Sequence, residues 1–178
     1  GKFHTWHPDL FLGHDVYGKT LGIVGMGRIG SAVARRAAGF NMRVVYASRS
    51  RHHEVEKKLA ASRLELSELL AVSDFVSVHL PLTSDTHHLI GREKLSLMKK
   101  SAYLVNTGRG PVVDENALVT TLQMGCIAGA ALDVYEREPE VHPGLLALTN
   151  VVLLPHIGSA TEETRYRMAE LCVENALA

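Results

Sequence analysis

A six-residue glycine loop near the start of the chain most restricts how it can fold. The loop Gly25-Met26-Gly27-Arg28-Ile29-Gly30 follows the apolar segment Thr20–Val24 and opens an Ala-rich amphipathic segment at residues 28–40. In such a unit the first glycine permits a tight turn, the second admits a pyrophosphate, and the third lets helix and strand pack closely. Tight turns also use glycine for steric reasons alone, but a loop between a strand and a helix favours a dinucleotide site.

The rest of the chain alternates between strand-like and helix-like segments. Apolar or β-branched strands are predicted at residues 20–24, 42–47, 75–80, 102–106, 127–132 and 151–154. Helices are predicted at residues 28–40, 66–72, 92–100, 114–124 and 161–177, and Gly125 can end the fourth of them. Because alternation implies parallel pairing with right-handed crossovers, we expect an α/β fold with a doubly wound parallel sheet. This is the architecture of a Rossmann-like dinucleotide-binding domain.

The length of 178 residues suits one domain with at most a short appendage. Residues 1–17 show no clear period and carry three histidines. We therefore interpret residues 1–17 as an arm, or as the end of an interdomain helix that begins upstream. Residues 18–178 are interpreted as the dinucleotide-binding domain.

Composition and charge exclude several classes of partner. Lys and Arg sum to 19, as do Asp and Glu, so no excess of basic charge favours nucleic-acid binding. No apolar run approaches the roughly 18 residues of a membrane helix, and no signal peptide is evident, so we expect a cytoplasmic protein without a membrane partner. Cys126 and Cys172 lack disulfide or zinc spacing and are expected to be buried. The histidines show no metal-ligand spacing beyond two adjacent pairs, so no metal is expected.

The end of the second predicted strand indicates which nucleotide is preferred. NAD-binding domains usually place Asp or Glu there, about 20 residues after the glycine loop, to bind the ribose 2′-hydroxyl. Here the strand runs into Ser48-Arg49-Ser50, and no Asp or Glu occurs from Val16 to His53. A carboxylate would repel a 2′-phosphate, whereas Arg beside Ser would bind it. A solvated basic loop is the alternative, but we expect NADP(H) to be preferred, with NAD(H) possible.

Four charged side chains follow predicted strand ends, where open α/β sheets bind their ligands. They are Arg109, Asp133, Glu138 and His156. Taken singly, each has an ordinary structural explanation. An arginine between two glycines can be a solvated turn, and a single histidine is more often a satisfied structural residue than a catalytic one.

Five motifs occur in one order along the chain: GMGRIG at 25–30, HLPLT at 79–83, NTGRGPVVDE at 106–115, LDVYEREP at 132–139 and PHIGSAT at 155–161. Together they resemble the D-isomer-specific 2-hydroxyacid dehydrogenase family over nearly the whole chain. The serine-arginine strand end and the Thr5-Trp6 arm are most similar to its glyoxylate/hydroxypyruvate reductase branch.

The resemblance implies hydride transfer between a nicotinamide cofactor and a small 2-oxo or 2-hydroxy acid, such as glyoxylate or hydroxypyruvate. It implies that Arg109 binds the substrate carboxylate and carbonyl, that His156 is the acid/base, and that Glu138 is its carboxylate partner. Asp133 is implied to lie beside the nicotinamide. Cofactor contacts are implied for the glycine loop and for Ser48, Arg49, Ser50, His79, Pro81, Thr107, Gly108, His156 and Gly158.

The resemblance also implies that the chain is a cofactor-binding domain from which the substrate domain is absent. The arm with Trp6 resembles a segment that reaches a neighbouring subunit, so a homodimer is expected; a surface aromatic residue on a frayed terminus is the alternative. Two other functions remain open. One is a nucleotide-sensing module like the transcriptional corepressors of this fold, and the other is a formate or phosphite dehydrogenase.

Overall fold

A single parallel sheet of seven strands forms the centre of the protein. The computed structural model describes residues 4–10 and 12–177. The strands are β1 (Thr20–Val24), β2 (Arg43–Ala47), β3 (Ser62–Arg63), β4 (Phe75–Val78), β5 (Tyr103–Asn106), β6 (Gly129–Leu132) and β7 (Val151–Leu153). Their order is β3-β2-β1-β4-β5-β6-β7, and all pairs are parallel. The winding direction therefore reverses between β1 and β4, which is where such sheets open a crevice for ligands.

Helices cover both faces of this sheet. They are α1 (Arg28–Ala37), α2 (His53–Leu59), α3 (Leu66–Val72), α4 (Arg92–Leu95), α5 (Glu115–Gln123), α6 (Pro143–Leu146) and α7 (Glu162–Leu177). Successive side chains of β1 point to opposite faces. Ile23 belongs to the smaller core with Ala34 of α1, and Val24 belongs to the larger core with Leu69 of α3. The predicted doubly wound α/β fold is confirmed.

Several predicted boundaries differ from the structure. The helix predicted over 28–40 ends at Ala37, because a 3-10 turn follows at Ala38–Phe40 and Asn41 takes a left-handed backbone with φ of 50°. The helix predicted over 92–100 is only the four residues of α4. Three elements, α2, β3 and α6, were not predicted. No residue of α2 is buried, and its apolar residues Val55 and Leu59 are only partly buried against the smaller core. Both residues of β3 are exposed, so the apolar pattern of these short segments is weak.

The expectation that both cysteines are buried is wrong. Cys126 and Cys172 are exposed. Cys126 lies just beyond the end of α5, and Cys172 lies on α7, a helix in which no described residue is buried. Among the helices within residues 4–10 and 12–177, none is long and apolar enough to cross a membrane.

The predicted arm is described at residues 4–10 and 12–17, where no helix occurs. Residues 1–3 and 11, which the prediction included, lie outside the described residues. Trp6 and Leu12 are largely exposed. Nδ1 of His14 lies 3.0 Å from the hydroxyl of Tyr103, the first residue of β5, so this part of the arm contacts the amino-terminal edge of the sheet.

Candidate active site

The glycine loop lies at the point where the winding direction of the sheet reverses. Gly25 has φ of +98°, a conformation that side chains disfavour, and a Cβ at Gly30 would lie 2.2 Å from the carbonyl oxygen of Gly25. Backbone conformation and packing therefore require glycine at both positions. Gly27 differs, because a Cβ there would meet no heavy atom within 4 Å. Gly27 lines a cavity, and the empty space beside it belongs to that cavity.

This first cavity has a volume of about 610 Å³. α1 begins beside it at Gly27 with no side-chain cap and no acidic residue in its first turn. The first N–H groups of the helix and the positive end of its dipole are therefore available to an anion. Eight residues predicted to contact cofactor or substrate line the cavity: Gly27, Arg28, Ile29, His79, Pro81, Thr107, Gly108 and Arg109.

Met26 and His79, both predicted to contact the cofactor, differ in where their side chains lie. Met26 is buried, and its side chain packs in the core with Ala34 rather than lining the cavity. His79 is a cavity residue whose Nε2 lies 2.8 Å from the Ser77 hydroxyl. Burial lowers the pKa of His79, so its imidazole is held towards the neutral form.

A second cavity, of about 340 Å³, opens at the carboxyl end of β2. Of the three residues predicted to contact the cofactor here, Ser48 and Arg49 line this cavity and Ser50 does not. Arg63, at the end of β3, also lines it and was not predicted. Its Nε and Nη2 donate hydrogen bonds of 3.1 and 3.0 Å to the carbonyl oxygen of Ser48. Two arginines, Arg49 and Arg63, therefore line this cavity with Ser48, and only Arg49 comes from the strand-end segment.

A carboxylate does approach the end of β2, although none occurs in the sequence from Val16 to His53. Glu56 of α2 accepts a 2.7 Å hydrogen bond from the hydroxyl of buried Tyr46, and Nε of Arg51 lies 3.0 Å from each of its oxygens. The hydrogen bonds from Tyr46 and Arg51 hold the pKa of Glu56 below its usual value. Neither Arg51 nor Glu56 lines the second cavity. Arg51 is therefore bound to an acid of its own chain.

Glu138 and His156 meet across the loops that follow β6 and β7. Nδ1 of His156 lies 2.7 Å from Oε2 of Glu138, and Oε1 accepts a hydrogen bond of 3.1 Å from the backbone N–H of Tyr135. Burial raises the pKa of Glu138, but these contacts and the charges of His156 and Arg109 outweigh it, so the pKa lies below its usual value. Because Nδ1 is occupied by Glu138, Nε2 is the ring nitrogen left for a reactant.

Arg109 follows β5 on a turn that Asn106 holds in place. Asn106, 1% exposed, accepts a hydrogen bond from the N–H of Gly108 and donates one to the carbonyl of Arg109. A Cβ at Gly110 would lie 1.9 Å from the carbonyl carbon and oxygen of Tyr135. The turn that carries Arg109 and the loop that carries Glu138 are thus in direct backbone contact. Asn106 and Gly110 both lie in the NTGRGPVVDE motif, but neither was predicted to be a site residue.

Asp133 anchors the loop that carries His156. It is 5% exposed, and its two oxygens accept hydrogen bonds of 2.8 and 2.7 Å from the N–H groups of Ile157 and Gly158. Glu138 and His156 line a separate, mainly apolar cavity of about 290 Å³. Among the described residues, no three His, Cys, Asp or Glu side chains are grouped so that they could hold a metal ion.

These features define a class of protein. A glycine loop joins the first strand of a parallel sheet to an uncapped helix, and the space at Gly27 is open to a pyrophosphate. This is a Rossmann-type dinucleotide-binding domain. The sequence model of the D-isomer specific 2-hydroxyacid dehydrogenase NAD binding domain matches residues 1–158. The chain belongs to that family, as its motifs predicted, and it is the domain that binds the nicotinamide dinucleotide.

Individual relatives agree with this assignment. The chain is 59% identical over 174 residues to a glyoxylate reductase from Thermococcus onnurineus, covering 98% of this chain and 52% of the relative. Two crystal structures are similar: the TT0316 protein from Thermus thermophilus (TM-score 0.92, 53% identity) and a glyoxylate reductase from Paecilomyes thermophila (TM-score 0.88, 48% identity). The Thermus structure matches 98% of this chain, and the match covers 55% of the Thermus protein. The Paecilomyes structure matches 96% of this chain, and the match covers 52% of the Paecilomyes protein. The chain thus spans about half the length of these relatives.

Proposed function

We propose that this chain is the cofactor-binding half of an oxidoreductase that reduces a small 2-oxo acid of the glyoxylate or hydroxypyruvate type and prefers NADP(H). The observation that carries the proposal is the pairing of His156 with Glu138 at 2.7 Å, in loops next to the Arg109 turn. Support also comes from the similarity to glyoxylate reductases. A homodimer remains a prediction, supported by the exposure of Trp6 on the arm.

The residue types suit the reaction. When bound, the nicotinamide supplies the hydride that reaches the ketone carbon. The guanidinium of Arg109 binds the planar substrate carboxylate through parallel hydrogen bonds and so orients the ketone. Nε2 of protonated His156 donates the proton that converts the developing alkoxide into the hydroxyl. Glu138 fixes the ring orientation through Nδ1 and stabilises its positive charge.

Steady-state kinetics test this function directly. The chain joined to the remaining half that its relatives possess would be assayed with glyoxylate, hydroxypyruvate and pyruvate, each with NADPH and NADH. We expect turnover with at least one of these acids. Intact cofactor binding without any turnover would favour the nucleotide-sensing alternative instead. Oxidation of formate or phosphite with NADP+ or NAD+, without reduction of any of these acids, would favour a formate or phosphite dehydrogenase.

The preference for NADP(H) is proposed from the second cavity. Arg49 and Arg63 lie there with the Ser48 hydroxyl, whereas Arg51 is held by Glu56. Two carboxylates also line this cavity. Glu65 is occupied in capping α3, and Asp85 lies in the loop after β4. The preference therefore depends on the two guanidinium groups nearest Ser48, to which a 2′-phosphate would make charge-assisted hydrogen bonds.

The double change Ser48→Asp with Arg49→Ala should move the preference towards NADH. It adds an acceptor for the ribose hydroxyls and removes one phosphate donor. Since a hydrogen bond to a charged group is worth about 1.5–3 kcal/mol, the ratio of the two Kd values should change by at least about tenfold. Fluorescence titration of the chain with NADPH and NADH measures both constants.

Arg51→Ala is the matched control for that experiment. It removes an arginine two residues away that is bound to Glu56, so the ratio should stay within about twofold. If the unaltered chain binds NADH at least as tightly as NADPH, the proposed role of this loop is wrong.

A further inference from the structure

Two glutamates link the loop after β6 to the start of α5. Oε1 of Glu136 accepts a 2.7 Å hydrogen bond from the backbone N–H of Glu115. Oε1 of Glu115 accepts one of 2.8 Å from the backbone N–H of Glu136. Each side chain thus binds the backbone of the other residue, and this reciprocal pair fixes the loop against the helix at two points. Neither glutamate has a role in the proposed reaction.

The pair lies at the start of a helix that belongs to the core. Glu115 is the first residue of α5, and it is 5% exposed. The first N–H groups of a helix need acceptors from outside, and negative charge near them is favourable. Asp114 accepts from the N–H of Ala117, and Glu136 supplies a second carboxylate to the same helix end. The loop therefore attaches to a helix whose Leu118 and Leu122 are in the core.

His88 connects Glu136 to the turn that follows Arg109. Nε2 of His88 lies 3.1 Å from Oε1 of Glu136, and the His88 backbone N–H donates to the carbonyl of Pro111. Nε2 makes no hydrogen bond to the described residues, so its contact with Glu136 is an ion pair, which requires a protonated imidazole. The charges of His142 and Arg137 also act on Glu115, and Glu140 lines the same cavity as the two glutamates.

Glu136 lies in the loop that carries Glu138, directly after Tyr135, whose backbone contacts Glu138. The preceding residue, Tyr135, donates its N–H to Oε1 of Glu138 and lies against the Gly110 backbone. We infer that Glu136 is a positioning residue: its carboxylate, held by Glu115 and His88, keeps the loop in the conformation from which Glu138 reaches His156. This inference deepens the proposed function and depends on it only for the catalytic meaning of the Glu138–His156 pair.

Carboxyl NMR titration of Glu138 in the 178-residue chain tests the inference without cofactor or substrate. Glu136→Gln removes the charge and keeps an oxygen that can accept from Glu115, whereas Glu136→Ala removes both. Loss of the Glu136 charge lowers the pKa of Glu138 equally in the two variants, but loss of positioning raises it only in the alanine variant. We expect the pKa of Glu138 to be higher in the alanine variant by at least about 0.5.

Equal pKa values of Glu138 in the alanine and glutamine variants would overturn the inference. Glu136→Asp provides a second measurement if the alanine variant does not fold. Aspartate keeps the charge but is one methylene shorter, so it should raise the pKa of Glu138 above that of the unaltered chain. An unchanged value would contradict the inference. Glu136 lines neither cofactor cavity, so the Kd for NADPH should stay within about twofold in all three variants. A failure of cofactor binding in the unaltered chain would instead count against the proposed function.

Discussion

His156→Ala should lower the turnover of 2-oxo acid reduction by at least about 10²-fold when the chain is joined to the remaining half that its relatives possess. This is the lower end of the effect of a general acid. The histidine is half exposed, is oriented by Glu138 at 2.7 Å, and keeps Nε2 free for the substrate oxygen. The turnover number is measured at saturating substrate, and denaturant unfolding is measured in parallel to show that the domain remains folded.

Glu138→Gln should lower turnover less than His156→Ala does, and it should also change the pH dependence of reduction. The hydrogen bond and charge of His156 help to hold the pKa of Glu138 below its usual value, so the ionised carboxylate and a charged imidazole attract each other. A neutral glutamine removes this attraction and should shift the pH optimum for reduction downward. His14→Ala is the matched control, since His14 contacts Tyr103 at the opposite end of the sheet and should leave both rate and optimum unchanged. Unchanged turnover in His156→Ala would exclude the proposed mechanism.

Three glycine-to-alanine changes should separate stability from cofactor binding. Gly30→Ala places a Cβ 2.2 Å from a backbone oxygen of Gly25, which cannot move away as a side chain would. We expect a loss of about 3 kcal/mol in the free energy of unfolding, at the upper end of typical overpacking costs.

Gly27→Ala meets no atom within 4 Å but points into the first cavity. Stability should be kept, while NADPH binds at least about tenfold more weakly.

Gly39→Ala is the control for both changes, because a Cβ there also meets nothing within 4 Å and Gly39 lines neither cofactor cavity. Denaturant unfolding and NADPH titration of the three variants give the two quantities needed. If Gly27→Ala binds NADPH as tightly as the unaltered chain, the pyrophosphate does not lie against this loop.

The sequence predicts the fold well because the strands are continuous apolar runs in regular alternation with helices. The central strands and the glycine loop lie where they were predicted. The elements that were not predicted, α2, β3 and α6, are short, so their apolar pattern is weak. α2 is stabilised at its polar side by Glu56, which binds Tyr46 and Arg51, and β3 consists of two exposed residues that pair with β2.

The candidate site is only partly readable from the sequence, for a related reason. Residues in local motifs, such as Gly27 and Arg109, are recognisable because their neighbours in the chain fix their geometry. Arg63 reaches Ser48 across 15 positions, and Glu115 reaches Glu136 across 21. Such contacts depend on which strands become neighbours in the sheet. Ser50, adjacent to Arg49 in the chain, lines neither the first nor the second cavity.

Calorimetric titration of the 178-residue chain with NADPH and with NADH, followed by an assay for glyoxylate reduction, tests the central claim most directly. The glycine loop and the Ser48 cavity lie within this chain, so we predict binding of both nucleotides, tighter for NADPH. We predict negligible turnover, because a substrate carboxylate would meet the exposed Arg109 in open water, where an ion pair is worth about 1 kcal/mol at most. No heat of binding with either nucleotide would contradict the assignment of a cofactor-binding domain. Substantial turnover would show that these residues already contain the whole active site.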